Sequence, residues 1–238
     1  MVSATEENYL KALLQLQLKE QDKTAVGTNE LANHLLVKPA TANDMLKKLK
    51  DKQLVDYEKY GKITLTDIGR KLATEIVRKH RLWETFLYEK LDFSWDEVHE
   101  VAEQLEHIQS NKLIDKLAIF LGNPTHDPHG DIIPQANGNI NIQYLITLAE
   151  IKEGETCKMM AVKDNSPNFL QYIGTLGLAI QDEIMVVSAE NFDGIINIQL
   201  GEKVVSVSKR FAQNIYVICE NCVIGNTCPT GKCQIITE

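Results

Sequence analysis

The order of the elements predicted between residues 5 and 66 limits the fold more than any other feature. The segment "TEENYLKALLQLQLKE" has apolar residues at helical spacing, and the breaker "TAVG" comes after it. Thr28 can cap a second helix, "NELANHLL", and the tight turn "VKPAT" leads into a third, "ANDMLKKLKDKQL". The β-prone segment "VDYEKYGKITLT" then predicts a hairpin with basic residues at its tip. Three helices with such a turn, followed by a hairpin, predict a winged helix-turn-helix domain.

The charge of the chain is unevenly distributed. The formal net charge is -8, yet residues 1–78 hold 13 basic and 11 acidic side chains, whereas residues 79–238 hold 12 and 22. Residues 36–71 hold 9 basic and 5 acidic side chains, which makes a local positive patch that favours contact with phosphates. Charge alone is more typical of a solvated Lys-rich helix in a small α+β domain. The order of the elements favours DNA binding instead.

The helix after the tight turn is the expected recognition helix, and the hairpin is the expected wing. A recognition helix contacts bases and phosphates in the major groove, while a wing adds contacts beside it. The partner is therefore expected to be double-stranded DNA. The predicted contacts are Lys38, Pro39, Ala40, Thr41, Asn43 and Lys47 on the helix, with Lys59 and Lys62 on the wing.

Three further helices are predicted before the chain reaches a long loop. The first runs from Thr66 to about Leu91, Ser94 with Glu97 forms a capping box that opens the second, and "NKLIDKLAIFL" is the third. The third helix is apolar enough to require a partner, which favours a helical interface in a homodimer. The segment "GNPTHDPHGDIIP" holds three prolines and two glycines in thirteen residues and ends the helical region.

Short apolar runs alternate with turns in the C-terminal part. After the linker-like "QANGNIN", the pattern from Ile142 to about Ile218 predicts a small β-barrel with one short helix near residues 167–176. The longest apolar runs are far shorter than the roughly 20 residues of a membrane span, and the N-terminus is no signal peptide. We therefore expect a soluble cytoplasmic protein with no membrane partner.

The segment "VHEVAEQLEH" places potential metal ligands on one face of a helix. Because a helix advances about 100° per residue, four side chains fall within an arc of about 100°. They are His99, Glu103, Glu106 and His107. Imidazole and carboxylate donors that converge from one side suit a divalent first-row ion. His80 and Glu84 repeat the spacing on the preceding helix. A solvated helix face is the alternative, but two consecutive helices with this pattern favour a metal site.

Four of the five cysteines, Cys219, Cys222, Cys228 and Cys233, lie in the last twenty residues. In a cytosolic chain such a cluster binds metal more often than it forms disulfides. The tail is predicted to bind Zn(II) or an iron–sulfur cluster. The alternative is a tail of reduced thiols, since the later spacings match no standard zinc motif.

Residues 5–134 resemble the diphtheria-toxin-repressor and manganese-transport-regulator family of metal-dependent transcriptional repressors. The likeness lies in "TEENYL", the turn at Pro39, "LTDIGRKLA", "VRKHRLWETFL", "VHEVAEQLEH" and "NPTHDPHGDIIP". The segments "LGLAIQDEIMVV" and "GIINIQLGEKVVSVSKRFAQNIYV" are similar to the small SH3-like domain of ferrous-transport proteins and of longer members of this family.

The fold that follows is multidomain and mainly α with a β module. The predicted domains are a winged helix-turn-helix DNA-binding domain (1–72), a helical metal-binding and dimerisation domain (73–134), a linker (135–141), an SH3-like barrel (142–218) and a Cys-rich tail (219–238).

The resemblance implies two regulatory metal sites. The primary site falls on Asn8, Glu103, Glu106 and His107, where Asn8 replaces the Asp or Met common in the family and Glu103 the Cys of iron-responsive members. Oxygen and nitrogen donors suit Mn(II) or Fe(II). The second site has two versions, both with Glu84. One adds His80 and His99, and the other adds Asp127, His129 and Asp164.

The function implied is that of a dimeric repressor that binds palindromic operator DNA when Mn(II) or Fe(II) is plentiful and controls metal-uptake genes. Two alternatives stay open. A metal-independent winged-helix regulator would use the His and Glu side chains only structurally. A di-metal enzyme would need an open coordination position and a substrate cleft, for which the sequence gives no evidence. We therefore expect no catalytic residues.

Overall fold

The computed structural model describes residues 2–18, 25–57, 62–140, 145–190 and 192–219. The chain divides into two compact units. The first comprises residues 1–83, 102–120 and 134–139, and the second comprises residues 84–101, 121–133 and 140–238.

The N-terminal part of the first unit has the predicted winged helix-turn-helix order. Its helices are α1 (Ala4–Leu18), α2 (Thr28–His34) and α3 (Pro39–Asp51), and its strands are β1 (Val26–Gly27), β2 (Val55–Tyr57) and β3 (Lys62–Leu65). The strands form an antiparallel sheet in the order β1-β3-β2. The apolar stripe of α1 is buried as the helical spacing predicts, and the fully buried side chains of these elements include Leu10, Leu13, Leu14, Leu31, Leu46, Leu49 and Ile63.

Two local predictions near the start of α2 differ from the structure. The segment read as a breaker contains β1, whose Val26 pairs with Ile63. The helix begins at Thr28 itself, so the residue before it, Gly27, is the N-cap, and its N–H lies 3.4 Å from the Glu30 carboxylate. The prediction that Thr28 caps α2 is wrong, because its hydroxyl is buried within the helix without a hydrogen-bond partner.

Three further helices follow as predicted. They are α4 (Asp67–Leu91), α5 (Val98–Leu105) and α6 (Asn111–Phe120). Ser94 and Glu97 do hydrogen-bond to each other, with the Ser94 N–H 2.9 Å from the Glu97 carboxylate. Residues 95–97 form turns, however, so the helix begins later than the capping box suggests. Helix α4 begins in the first unit and ends in the second, whereas α5 begins in the second and ends in the first.

The C-terminal part of the second unit is the predicted β module. Strands β4 (Ile146–Thr147), β5 (Thr156–Val162), β6 (Glu183–Ala189), β7 (Ile195–Leu200), β8 (Lys203–Ser208) and β9 (Ile215–Cys219) form one antiparallel sheet in the order β4-β9-β5-β6-β7-β8. Helix α7 (Pro167–Leu176) lies where the short helix is predicted, and α8 spans Lys209–Ala212. Leu148, Met159, Ile173, Ile184 and Ile198 are fully buried in its core. Among the described residues, no helix is long and apolar enough to cross a membrane.

Candidate functional site

Glu106 is the centre of a buried polar cluster in the first unit. Its side chain is fully buried at the end of α5. Lys11 of α1 donates a hydrogen bond to Glu106 Oε2 at 2.8 Å, and Oε1 lies at the same distance from the ammonium. The same ammonium donates to Glu103. His80 Nδ1 is 2.6 Å from Glu106 Oε2. A buried carboxylate needs such partners, because an uncompensated charge in the interior is very unfavourable.

His107 is held on the other side of this cluster by Glu7, a second residue of α1. His107 Nδ1 lies 2.6 Å from Glu7 Oε2, and Gln109 donates to Glu7 Oε1 at 2.8 Å. Since a carboxylate only accepts, the proton of this contact is on Nδ1. The Nε2 lone pair is then the one left for a metal, which is the usual arrangement of a histidine ligand oriented by a carboxylate. Nε2 lies 3.9 Å from Glu106 Oε1.

The four predicted primary ligands all belong to the first unit, but Glu103, Glu106 and His107 do not form a group in which one ligand atom of each lies within 4.8 Å of the others. The Lys11 ammonium lies between two of them instead. Asn8 contributes a buried carbonyl oxygen, Oδ1, that has no hydrogen-bond partner. A buried acceptor without a donor is unfavourable unless a cation satisfies it. An unsatisfied amide oxygen on Asn8, together with the oxygen and nitrogen donors of Glu103, Glu106 and His107, is a donor set that suits a divalent ion such as Mn(II) or Fe(II).

The second unit holds a compact group of potential ligands. Glu84, Asp127 and His129 each offer a ligand atom within 4.8 Å of the others, and all three side chains are buried. Glu84 lies in the C-terminal half of α4, and the other two come from the loop after α6. Asp127 shapes that loop, because its Oδ1 accepts from the N–H groups of His129 and Asp131, both at 2.9 Å. Two carboxylates and an imidazole so close together are a donor set for a divalent ion.

The proton position on His129 supports a ligand role. Its Nε2 lies 3.0 Å from the carbonyl oxygen of Trp95. A carbonyl only accepts, so Nε2 carries the hydrogen and Nδ1 has the lone pair. Nδ1 is buried, has no hydrogen-bond partner and lies 3.9 Å from Glu84 Oε1. A backbone carbonyl that fixes the tautomer in this way is the common outer contact of a metal-bound histidine.

The remaining second-site residues are arranged differently. His99 is exposed, and its Nδ1 lies 3.1 Å from Glu84 Oε1. His80 belongs to the first unit, where it contacts Glu106, so the version with His80, Glu84 and His99 stays a prediction. Asp164 Oδ1 accepts from the Ser166 N–H at 2.9 Å just before α7, and it is outside the compact group.

The predicted DNA contacts of α3 are mostly exposed. The side chains that are open to solvent are Lys38, Pro39, Ala40, Thr41, Lys47 and, on β3, Lys62. Asn43 is half-buried and engaged within the unit, because its Nδ2 donates to Pro39 O at 3.0 Å and its Oδ1 accepts from the Tyr57 hydroxyl. Lys59 lies outside the described residues.

One contact joins α1 to the end of α3. The Lys52 ammonium, at the C-terminal cap of α3, is 2.8 Å from the carboxylate of Glu6. The hydrogen bond from Lys52 lowers the pKa of Glu6 below its ordinary value. Glu6 and Glu7 are adjacent, so α1 contacts the end of the predicted recognition helix through one residue and His107 through the next.

We expect the stability of the protein to fall on acidification partly through Glu6. A carboxyl whose pKa is lowered in the folded state contributes stability above its ordinary value of 4.5, and this is lost as the pH falls through the folded pKa. Replacing Lys52 by Met removes the main cause of the lowered pKa. The free energy of unfolding of Lys52→Met should therefore fall less than that of the wild type between about pH 6 and about pH 3. Parallel pH curves would contradict this assignment.

The cysteines are mostly beyond what the structure describes. Cys219 ends β9, directly opposite the buried Cys157 of β5. Cys222, Cys228 and Cys233 lie outside the described residues, so metal binding by the tail stays a prediction.

Glu7, Lys11 and Trp95 are the site residues that sequence reasoning missed. Glu7 and Lys11 are four residues apart and therefore share one face of α1, which is the signal that could have revealed them. Trp95 contributes a backbone carbonyl, and no side-chain pattern indicates such a role.

Comparison with known families agrees with the resemblance. The model described as "Iron dependent repressor, N-terminal DNA binding domain" matches residues 1–63, and "Iron dependent repressor, metal binding and dimerisation domain" matches residues 66–135. The model described as "FeoA domain" matches residues 146–219.

Known relatives include a metal transport protein and an iron-dependent repressor. A probable metal transport system membrane protein of Chlamydia trachomatis is 44% identical over 72 residues, 30% of this chain and 16% of the chlamydial protein. The iron-dependent repressor IdeR of Mycobacterium bovis is 32% identical over 130 residues, 55% of each protein. A solved structure of a manganese-dependent transcriptional repressor in complex with manganese is 34% identical with a TM-score of 0.80, covering 90% of this chain and 99% of that one.

The winged helix and the helices after it define a DNA-binding regulator. The chain belongs to the iron-dependent repressor family, whose solved structures include manganese-dependent members.

Proposed function

We propose that this protein is a metal-dependent transcriptional repressor that senses Mn(II) or Fe(II) and controls metal-uptake genes. The observation that carries the proposal is the position of α1. Its Glu7 contacts His107, and the adjacent Glu6 contacts Lys52 at the end of α3. A change at the candidate metal ligands can therefore alter the position of the recognition helix through a single rigid helix.

Asn8, Glu103, Glu106 and His107 would hold the regulatory ion, which supplies a divalent positive charge between α1 and α5. Glu7 orients His107 so that Nε2 is available, and Asn8 brings an otherwise unsatisfied oxygen from α1. An ion bound more tightly by the DNA-competent arrangement shifts the population toward it, and DNA then tightens metal binding by the same factor. We propose a second site at Glu84, Asp127 and His129, which the buried Nδ1 of His129 supports.

The dimer is proposed to form through α6. Leu113 is 40% exposed, Ile119 60% and Phe120 65%, which is unusual for large apolar side chains on one helix. The family model that covers α6 describes a dimerisation domain. A two-fold pair would present its recognition helices to two half-sites about 34 Å apart, so a palindromic operator is expected.

Lys47 is proposed to contact a phosphate, since it lies on α3 with its side chain exposed, and the Asp44 carboxylate that it contacts at 3.0 Å is exposed as well. Lys47→Ala should weaken binding to all DNA sequences to a similar degree and reduce the slope of log affinity against log salt by about one. Binding measured at several salt concentrations checks this. Lys158→Ala, which removes an exposed lysine from β5, is the control and should leave the slope unchanged. An unchanged slope for Lys47→Ala would remove Lys47 from the interface.

The protein is proposed to act in the cytoplasm and without catalytic turnover. The di-metal enzyme alternative predicts hydrolase or oxidase activity that depends on Glu106. The metal-independent regulator predicts DNA binding that chelators do not affect. Zn(II) or an iron–sulfur cluster at the C-terminal cysteines is a separate proposal, which metal analysis of the purified full chain tests.

The experiment that tests the function is selection of promoter fragments by the purified protein at fixed salt, in chelator and with Mn(II), Fe(II) or Zn(II). Sequence-specific fragments recovered with only one ion support the repressor and identify its metal. The same fragments recovered in chelator would favour the metal-independent alternative.

A further inference from the structure

Lys11 is a buried lysine whose ammonium lies among the carboxylates of the candidate primary site. The residue is 5% exposed. Its Nζ donates to Glu103 and to Glu106 Oε2, and both oxygens of Glu106 lie 2.8 Å away. The carboxylates that would bind a divalent ion are therefore the same ones that compensate the charge of Lys11.

An ion on these oxygens and the ammonium in its observed place exclude each other. First-row ions lie about 2.0–2.2 Å from carboxylate oxygens, so an ion shared by both carboxylates would be within roughly 3 Å of Nζ. Two cations at this separation in a buried site repel each other strongly. Either the ammonium leaves the carboxylates or the ion does not bind there.

We propose that Lys11 is an internal competitor for the regulatory metal, so that it lowers metal affinity and raises the metal concentration at which the protein binds DNA. The inference rests on the proposed function, because it concerns the same site. Lys11 stabilises the carboxylates of Glu103 and Glu106 when no ion is bound. A divalent ion displaces the Lys11 ammonium, because two carboxylates and an imidazole bind a doubly charged metal ion more strongly than a singly charged ammonium.

The test compares wild type, Lys11→Met and Lys11→Arg as full-length proteins stripped with a chelator and then titrated with Mn(II) alone in a calorimeter. Lys11→Met should bind Mn(II) on the order of 10- to 100-fold more tightly, because the Lys11 ammonium no longer competes with the ion for the oxygens of Glu103 and Glu106. Lys11→Arg keeps the positive charge and should stay close to wild type. Lys90→Met, which removes a lysine paired with Glu89 on α4, is the control for loss of charge.

Thermal unfolding gives a second readout that does not depend on DNA binding. In chelator, Lys11→Met should unfold at a lower temperature than the wild type, and Mn(II) should raise its midpoint by more. A variant that is unfolded in chelator and folds on addition of Mn(II) would support the proposal as well. Lys11→Gln, which is neutral but polar, must show the same direction of change in affinity.

Suppose that the wild type binds Mn(II) and that Lys11→Met and Lys11→Gln both bind it no more tightly than the wild type. This result would overturn the role of Lys11 and leave the repressor function intact. Failure of the wild type itself to bind Mn(II), Fe(II) or Zn(II) would overturn the proposed function, and the competitor role with it.

Discussion

The Glu106→Gln protein is expected to lose metal-dependent DNA binding. Glu106 is fully buried and contacts both Lys11 and His80, and the substitution removes its negative charge while keeping its size. Loss of an outer contact of a metal site weakens binding 10- to 100-fold, and loss of a charged ligand should cost more than about 100-fold. Calorimetry with Mn(II) and DNA binding by fluorescence anisotropy measure the two effects.

Folding must be checked in the same samples. Removing one partner of a buried charge pair costs roughly 3–5 kcal/mol, so circular dichroism must show that Glu106→Gln is folded at the working temperature. The matched control is Glu100→Gln, which changes an exposed acid on α5 in the same way and should behave as wild type. Full metal-dependent DNA binding by folded Glu106→Gln would exclude Glu106 as a ligand.

The second large effect is expected for Gly130→Ala in the loop that carries Asp127 and His129. Gly130 has φ +85°, and an added Cβ would lie 1.9 Å from Met160 O and 2.6 Å from Ala161 Cα. Strain at positive φ costs roughly 1–2 kcal/mol, and the clash must also displace the loop from β5. We expect a loss of roughly 3 kcal/mol or more in the free energy of unfolding, measured in denaturant.

Gly122→Ala separates the effect of backbone strain from the effect of the clash with β5. Gly122 has φ +78°, with nothing within 4 Å of an added Cβ, so the free energy of unfolding of Gly122→Ala should fall only by the strain of roughly 1–2 kcal/mol.

Because the His129 carbonyl accepts from the Val162 N–H at 3.1 Å, movement of the loop in Gly130→Ala should also remove Mn(II) binding at Glu84, Asp127 and His129. Equilibrium dialysis should show Mn(II) binding at the Glu106 cluster retained. Equal stability of the two variants would contradict the close approach to β5.

The contacts of α1 change what metal binding is expected to do to the protein. Lys11 and Glu7 already join α1 to Glu106 and His107. Metal binding would therefore replace these side-chain contacts by contacts through the ion. It would not join α1 to Glu106 and His107 for the first time. The two arrangements would then differ in the position of α1 and, through Glu6 and Lys52, of α3.

Much of the fold could be predicted because local patterns determine it. The helical spacing of α1, the turn before Pro39 and the apolar alternation of the β module each indicate one structure. Strand β1 could not be predicted, since two residues carry no periodicity and Val26 is ordered by its pairing with Ile63. The start of α2 depends on the same pairing, which explains the error at Thr28.

The site was harder to predict than the fold. Helical spacing predicts that Glu103, Glu106 and His107 share one face of a helix, whereas the structure ends α5 at Leu105. It does not show that Glu106 is buried while His99 is exposed, because depth depends on packing against other elements. Partners such as Lys11 are about ninety residues distant, and only the tertiary fold brings them to the carboxylates.

Metal-dependent binding of one operator fragment tests the account most directly. Anisotropy of a labelled fragment should be measured at fixed salt with chelated protein, and again with Mn(II) or Fe(II). We expect the activating ion to tighten binding by roughly 5- to 150-fold, the usual range of coupling between two sites. The same dissociation constant in chelator and in every metal would contradict the account.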